Sequence, residues 1–298
     1  MEFLSQYISD FQLTHWETLI DEWFLVFALA FLVFELIRYA VVKRLNWEMV
    51  GDTVTNFITL AFFIGITFLG MAAFYVGAYF YAAQFAVFEI PTTWASFLIA
   101  LVLADLAYYW EHRILHRINF LWATHSVHHS SPFFNISVAY RHGPLDGFWP
   151  LFFHLPLVLL GFNPILILVV ELLVQLYQTA LHTEVIGKLW KPIELIMNTP
   201  SHHRVHHGSN RKYLDKNYAG IFIIWDRMFG TFEEEEEEVV YGLVTPIDSI
   251  NPFVAFFHGF TRLAADVWKM PGLMNKLGVF FGPPGWQPKD RKDTSPAE

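Results

Sequence analysis

Four stretches of this chain stay apolar for too long to belong to a water-exposed element, and they limit the fold before any other feature does. A helix needs about 20 apolar residues to cross a bilayer. Residues 23–42 make one such run, residues 57–79 a second, and residues 94–109 a third that continues through 110–116. Residues 148–181 make a fourth, broken at Gly161-Phe162-Asn163-Pro164. At about 1.5 Å of rise per residue that stretch is too long for one crossing, so it reads as a hairpin of two arms. Its first arm, 148–160, is short and contains Pro156, which fits a re-entrant segment covered by protein. The expected class is all-α: a multi-pass membrane helical bundle of four to five spans carrying a histidine-rich cap. Composition agrees, with 16% charged residues against about 25% in an average soluble domain.

Lysine and arginine placement gives an orientation. The segment before Trp23 holds Glu2, Asp10, Glu17, Asp21 and Glu22 and no base, whereas Arg38, Lys43 and Arg44 flank the far end of the first run. The N-terminus is then external and the 38–50 loop cytoplasmic. Threading onward, the third run exits and the hairpin returns on the cytoplasmic side, so all histidine-rich segments are expected there. No basic n-region or cleavage site marks a signal peptide, so the first run should be retained. Without a Lys-Lys retrieval tail, a bacterial inner membrane is favoured over the endoplasmic reticulum. Three regions are expected: transmembrane helices over 1–110, a histidine-motif region over 111–250 that includes the hairpin 148–182, and an amphipathic segment with a flexible tail over 251–298. Glu233–Glu238 reads as a solvated loop. Residues 253–277 read as a segment lying along the membrane surface, and the chain from Pro283 as unstructured. The absence of cysteine excludes disulfide scaffolds, Cys zinc modules and cysteine nucleophiles. A net charge of −9 argues against nucleic acid as a partner.

Such a chain should avoid ionisable side chains, yet it holds 14 histidines. They gather as His112-Arg-Ile-Leu-His116, His125-Ser-Val-His128-His129 and His203-Arg-Val-His206-His207, with His202 just before the last. Residues three and four apart share a helix face, so each group can aim two or three imidazoles at one point. One such pair is ordinarily incidental. Eight histidines in three groups are not, because unpaired imidazoles beside a membrane are costly and a metal satisfies them. Imidazole suits Zn, Cu, Fe and Ni alike. The number of donors favours two metal centres over one, and redox iron under an apolar pocket suits attack on an inert lipid carbon.

These motifs in this order resemble the membrane fatty acid hydroxylase/sterol desaturase superfamily. The resemblance narrows over residues 100–245 to its ether-lipid branch, the alkylglycerol monooxygenases. It is carried there by Ala104-Asp-Leu-Ala-Tyr-Tyr-Trp110, Leu181-His-Thr-Glu184, Asn198-Thr-Pro-Ser-His-His-Arg-Val-His-His-Gly208, Asp215-Lys-Asn-Tyr-Ala-Gly220, Ile224-Trp-Asp226, Phe229-Gly-Thr-Phe232 and Val240-Tyr-Gly242. It implies two iron ions (which zinc can replace in a purified sample), O2, an external reductant such as a tetrahydropterin, and a membrane lipid substrate. It implies metal ligands at His112, His116, His125, His128, His129, His203, His206 and His207. His182 ends a membrane helix at the same face and is expected as a further ligand, the alternative being a cation opposite the helix dipole. His202 is expected as a ligand or as a donor behind one. His142 is similar to a histidine of sterol-type members. One departure stands out: the ether-lipid branch carries a glutamate directly after HxxxH, where this chain has Arg117, with Glu111 before His112 instead.

A metal-bound histidine usually donates its other N–H to a carboxylate or carbonyl. Asp105, Glu111, Glu184, Asp215 and Asp226 lie near motif histidines, and Asn217 accompanies them as a candidate. An acid at membrane depth, as Asp105 is, is expensive unless paired or functional. Glu171, Gln175 and Gln178 make one helix face polar, which helix–helix hydrogen bonding also explains. Arg204 and Arg211 could hold a lipid phosphate or simply face solvent. The expected activity is an O2-dependent monooxygenase that hydroxylates an alkylglycerol alpha to its ether oxygen. The hemiacetal then collapses to an aldehyde and a glycerol derivative. Rivals are an acyl-lipid or sterol hydroxylase or desaturase on the same scaffold, and more remotely a metal transporter or a membrane zinc hydrolase. No reductase motif is present, so an external electron donor is expected as a partner.

Overall fold

The computed structural model describes residues 13–288, with side chains from Trp23 onward except at 67 and 68. Regular structure among the described residues is helical, and extended backbone pairs only in isolated bridges, Met197 with Phe222 and Gly208 with Tyr241. Helices α1 (Leu13–Val41), α2 (Trp47–Gly70), α4 (Trp94–Leu115) and α7 (Pro164–Leu181) each hold a stretch long and apolar enough to cross a membrane. This is the composition of an integral membrane protein. Its outer surface is correspondingly greasy, with Phe27, Phe34 and Ile37 of α1 and Leu98 and Ile99 of α4 exposed, while Glu35, Asn56, Asp105 and Gln178 are buried.

The second span is not where the apolar run places it. The helix begins at Trp47, ends at Gly70, and a separate short helix α3 (Ala72–Ala83) follows. Hydropathy discounts the first turns of α2 because they carry Asp52, Thr55 and Asn56. Those side chains face protein rather than lipid: Arg141 donates to Asp52 at 2.9 Å and to Asn56 Oδ1 at 2.8 Å. Buried polar groups cost little once they are bonded to one another.

The hairpin forms as expected. Helix α6 (Pro150–Leu160) is too short to cross a bilayer and packs against α3 and α4. It stops at Gly161, whose φ is +115° and whose added Cβ would lie 2.0 Å from the Phe88 carbonyl oxygen. Only glycine fits there. Asn163 then caps α7 by accepting from the Ile165 N–H, with Pro164 at the first helical position, where its missing N–H costs nothing. Glu171 on α7 accepts from Tyr75 at 2.9 Å and from Tyr79 on α3, the helix–helix bonding anticipated for that polar face. Packing of α4 on α7 brings the end of α4, with His112 and His116, beside the end of α7, where His182 follows.

The rest of the chain covers that end of the bundle. It comprises α5 (Asn119–His125), α8 (Lys191–Ile196), α9 (Pro200–His206), α10 (Ile224–Phe229), α11 (Pro252–Lys269) and α12 (Leu273–Phe281). Helix α11 is amphipathic: Ala255, Phe256, Gly259 and Leu263 are buried, and Phe253, Phe257 and Trp268 are exposed. It crosses α5 backbone to backbone at Gly259, where a Cβ would meet the Ala123 carbonyl oxygen at 1.9 Å. The chain does not become irregular packing-free coil at Pro283, because Trp286 closes a turn on Pro283 and packs against Gly278 and Val279. The remainder of the expected tail, 289–298, lies outside the described residues, as do Glu2 and Asp10. The glutamate run is a loop but not a free one. Lys188 reaches Glu234 at 2.8 Å, Lys212 reaches Glu233 at 3.2 Å, and Arg204 reaches Glu235 at 2.7 Å.

Candidate metal centre

The i, i+4 spacing within each motif sorts the histidines into two groups. His112 and His116 at the end of α4 join His125 at the end of α5, His129 in the turn beyond it and His206 of α9. His128, His182, His203 and His207 form the second group. Every residue in both groups is buried, and within each group the donor nitrogens lie within 4.8 Å of one another. The HxxHH motifs serve both groups at once. His125 and His129 face one way and His128 the other, and His203 and His207 share a face that His206 leaves. The groups adjoin, with the His129 and His207 rings stacked at 4.4 Å.

Hydrogen bonds behind the rings fix which nitrogen is free. Nδ1 of His112 donates to the Tyr218 carbonyl at 2.9 Å, of His182 to the Gln178 carbonyl at 2.9 Å, and of His206 to the Lys216 carbonyl at 3.0 Å. Nδ1 of His128 donates to the Arg141 carbonyl at 3.3 Å and of His125 to Asp146 at 3.2 Å. The Nε2 lone pairs are thereby left pointing inward. His112 and His125 then oppose two such lone pairs across 3.1 Å, and His128 and His182 do so across 3.2 Å. Bare lone pairs at that distance repel. Two imidazoles bound to one metal at about 2.1 Å and at right angles sit about 3.0 Å apart, so a shared cation turns the repulsion into attraction. Nε2 of His116, His129, His206 and His207 is buried with no hydrogen-bond partner, which is the same signature. The residues present fit a pair of metal ions.

Electrostatics keep the donors neutral. Burial first, and then the neighbouring imidazoles, hold His116, His128, His129, His203 and His207 well below the usual histidine range. Burial likewise pushes His182 and His206 down to about 3. A neutral ring is the form that binds metal. Burial alone would raise Asp146, but the imidazoles of His125 and His142 hold its carboxyl below the usual range.

The remaining sequence candidates lie elsewhere. His202 joins neither group: its Nε2 pairs with Glu194 at 3.0 Å, because on α9 it points away from its neighbour His203. Asp105 has no hydrogen bond to a histidine among the described residues and instead accepts from the Ile221 and Phe222 N–H groups at 2.5 and 3.0 Å and from Trp225 Nε1 at 2.8 Å. Asp226 similarly gathers the Tyr218 and Ala219 N–H groups, both at 2.8 Å. Asn217 donates to the His202 and Glu233 carbonyls, a backbone clasp. Glu184 accepts from Tyr39 at 2.8 Å. Glu111 is buried with Oε2 unpartnered, and among the described residues no hydrogen bond joins it to a histidine. Arg204 is buried and bound to Glu235 rather than free for a phosphate. Asp215 lies 3.9 Å from His116 Nδ1 and pairs with Arg117 at 3.3 Å. The first of these separations is beyond hydrogen-bond length. A carboxylate thus lies near the last HxxxH histidine without bonding to it.

Sequence reasoning missed the most direct carboxylate partner. Asp146 bridges His125 and His142, whose Nδ1 it meets at 2.9 Å. It lies well past His129 along the chain and outside every histidine motif. Only its place in the stretch Tyr-Arg-His-Gly-Pro-Leu-Asp that also holds His142 could have signalled it. Beside the first group lies a cavity of about 860 Å³ lined by His116, His129, His206 and His207 and also by His258 and Arg262 of α11.

Residues 97–231 match the family model described as fatty acid hydroxylase, and all nine clustered histidines fall inside the match. Over that stretch the chain resembles the fatty acid hydroxylase family. It is 48% identical to alkylglycerol monooxygenase of Homo sapiens over 67% of this chain and 44% of that relative. It is 44% identical to alkylglycerol monooxygenase of Danio rerio over 74% of this chain and 49% of that relative. It is 29% identical to ornithine lipid hydroxylase OlsE of Rhizobium tropici over 45% of this chain and 41% of that relative. The chain thus spans less than half the length of these relatives. No solved structure matches it.

Proposed function

We propose that this chain is an O2-dependent, di-iron monooxygenase that cleaves the alkyl ether bond of a membrane glycerolipid. The observation that carries the reading is the pair of buried all-imidazole groups, five donors beside four, in a chain that over 67% of its length is 48% identical to an alkylglycerol monooxygenase. When bound there, an iron pair supplies two-electron reduction of O2 and oxidation of a C–H bond.

The residues around the centre suit that use. The nine rings would hold the pair: His112, His116, His125, His129 and His206 one ion, and His128, His182, His203 and His207 the other. Neutral donors leave the ions electrophilic, and the Nδ1 bonds to fixed carbonyls and Asp146 keep the rings of His112, His125, His128, His182 and His206 from turning. The cavity beside His116 and His129 is lined by Trp122, Leu263 and Met270 as well as by polar groups of α11, which suits an amphiphile. Hydroxylation alpha to the ether oxygen gives a hemiacetal, which collapses to an aldehyde and a glycerol derivative. Each turnover consumes O2 and two electrons, so a soluble reductant such as a tetrahydropterin, or another external donor, completes the balance. Arg38, Lys43 and Arg44 at the end of α1 support a cytoplasmic position for the centre under the positive-inside rule.

Anaerobic reconstitution with ferrous iron, followed by O2 and product analysis with and without tetrahydropterin, tests this. Aldehyde release from 1-O-alkylglycerol is the expected outcome. Hydroxylated product from acyl lipid or sterol, with no ether cleavage under any reductant, would replace the ether-lipid reading with the hydroxylase one.

A further inference from the structure

The glutamate run 233–238 has no part in the chemistry above, yet one of its members reaches the middle of a histidine motif. Arg204, between His203 and Val205, is 6% exposed. Its Nε and Nη2 donate to the two Glu235 oxygens, each at 2.7 Å. Its Nη1 donates to the Thr183 and Ile186 carbonyls at 3.0 and 2.7 Å. Ser201, one turn earlier on the same helix, also donates to Glu235, at 2.7 Å. One guanidinium therefore ties three pieces of chain together: α9, the loop directly after His182, and the acidic strap.

The ligands these pieces carry are unevenly shared. In the second group three of the four donors, His182, His203 and His207, stand on the two segments that Arg204 joins. In the first group only His206 does, and its ring is held separately by the Lys216 carbonyl. The first group's other fixed rings, His112 and His125, lean on the Tyr218 carbonyl and Asp146. Neither contact involves Glu235; the strap reaches the first of them only through Glu233, whose backbone clasps Asn217 beside Tyr218.

We propose that Glu235 is a positioning residue for one metal of the pair: by fixing the Arg204 guanidinium it holds the His128–His182–His203–His207 group in ligating register and leaves the other group to its own supports. A planar fork held along its Nε–Nη2 edge by both oxygens of a carboxylate has little freedom to swing, so the loop carbonyls that its Nη1 grips stay in place. The neighbouring Glu234 makes only an exposed pair with Lys188, with side chains 56% and 43% exposed, and has no such reach.

The inference rests on the reading of the histidines as a two-metal site, not on any lipid chemistry. The test is metal binding by the full chain in detergent, with Zn(II) and anaerobic Fe(II) as probes. It uses metal-to-protein ratios and chelator competition on the native protein, E235Q, E235D and E234Q. In E235Q the metal of the His128–His182–His203–His207 group should lose about 10- to 100-fold in affinity, the range for loss of a ligand-supporting contact. The other metal should be unchanged, E235D should recover most of the loss, and E234Q should match the native protein. Equal weakening of both metals, whether by misfolding or general loosening, overturns the proposal. So does an E235Q protein that holds both metals normally, or an E234Q protein that behaves like E235Q. A native protein that binds two metals but oxidises no lipid would sink the proposed function and leave this inference standing.

Discussion

Replacing Asp105 with asparagine probes how the metal end of the bundle is held. Asp105 sits on α4 two turns before His112 and receives three donors: the Ile221 N–H on Oδ1, and the Phe222 N–H and Trp225 Nε1–H on Oδ2. Asparagine has one acceptor oxygen. In its better rotamer it keeps the two Oδ2 bonds and turns its NH2 toward the Ile221 N–H. One buried donor left unsatisfied costs about 1–3 kcal/mol, and the two surviving bonds weaken by about 1 kcal/mol each as the acceptor loses its charge. Relief from burying that charge offsets part of this. The net loss is about 2–4 kcal/mol, a large share of the roughly 5–15 kcal/mol that holds a typical protein folded. The damage is not only thermal. Tyr218, three residues before Ile221, provides the carbonyl that orients His112. Thermal unfolding in detergent with parallel metal analysis should show a lowered Tm and weaker binding at the five-histidine group. D105N with an unchanged Tm and full metal content would refute the assignment of Asp105 as the clasp between α4 and the 218–225 segment.

Two further outcomes follow from local geometry. G259A must push α11 off the Ala123 backbone, so it should cost about 1–3 kcal/mol by overpacking, read as a lowered Tm; an unaffected Tm would mean the helices do not cross that closely. His258 is pushed down to about 4 by burial and by the nearby Arg262 and Arg141 charges. The unfolded chain, with an ordinary histidine near about 6.5, takes up the proton first. The stability held above that value is therefore lost as pH falls from about 6.5 toward 4. H258Q should accordingly lose less Tm than the native protein between pH 7 and pH 5, and an identical slope would refute the buried neutral state of this ring.

What the sequence made legible divides along physical lines. Helix periodicity and apolar run length read α1, α4 and the 148–181 hairpin closely, because lipid tolerates no ambiguity about which backbone is helical. The start of α2 was hidden, since the first turns of that helix are polar on a protein-facing side and hydropathy treats every polar residue as facing out. Motif spacing led to the expectation of a metal pair, and nine of the ten histidines singled out as ligands come together in two buried groups. It could not separate His202 from His203, because adjacent residues on a helix differ by about 100° and only the packing decides which one turns inward. The supporting contacts were mostly illegible. Four of the five Nδ1 acceptors are backbone carbonyls, which carry no residue identity, and the fifth, Asp146, is close in space but lies beyond the motif in sequence. The carboxylates that sequence proximity singled out, Asp105 and Asp226, turned out to gather backbone N–H groups of the 218–225 segment.

The most direct measurement is the location of bound metal. Anomalous scattering from crystals of the iron- or zinc-reconstituted protein, with elemental analysis of the same sample, reads both number and place. The expected result is two peaks per chain, one enclosed by His112, His116, His125, His129 and His206 and the other by His128, His182, His203 and His207. A single peak, or a second metal bound outside these rings, would contradict the two-centre site.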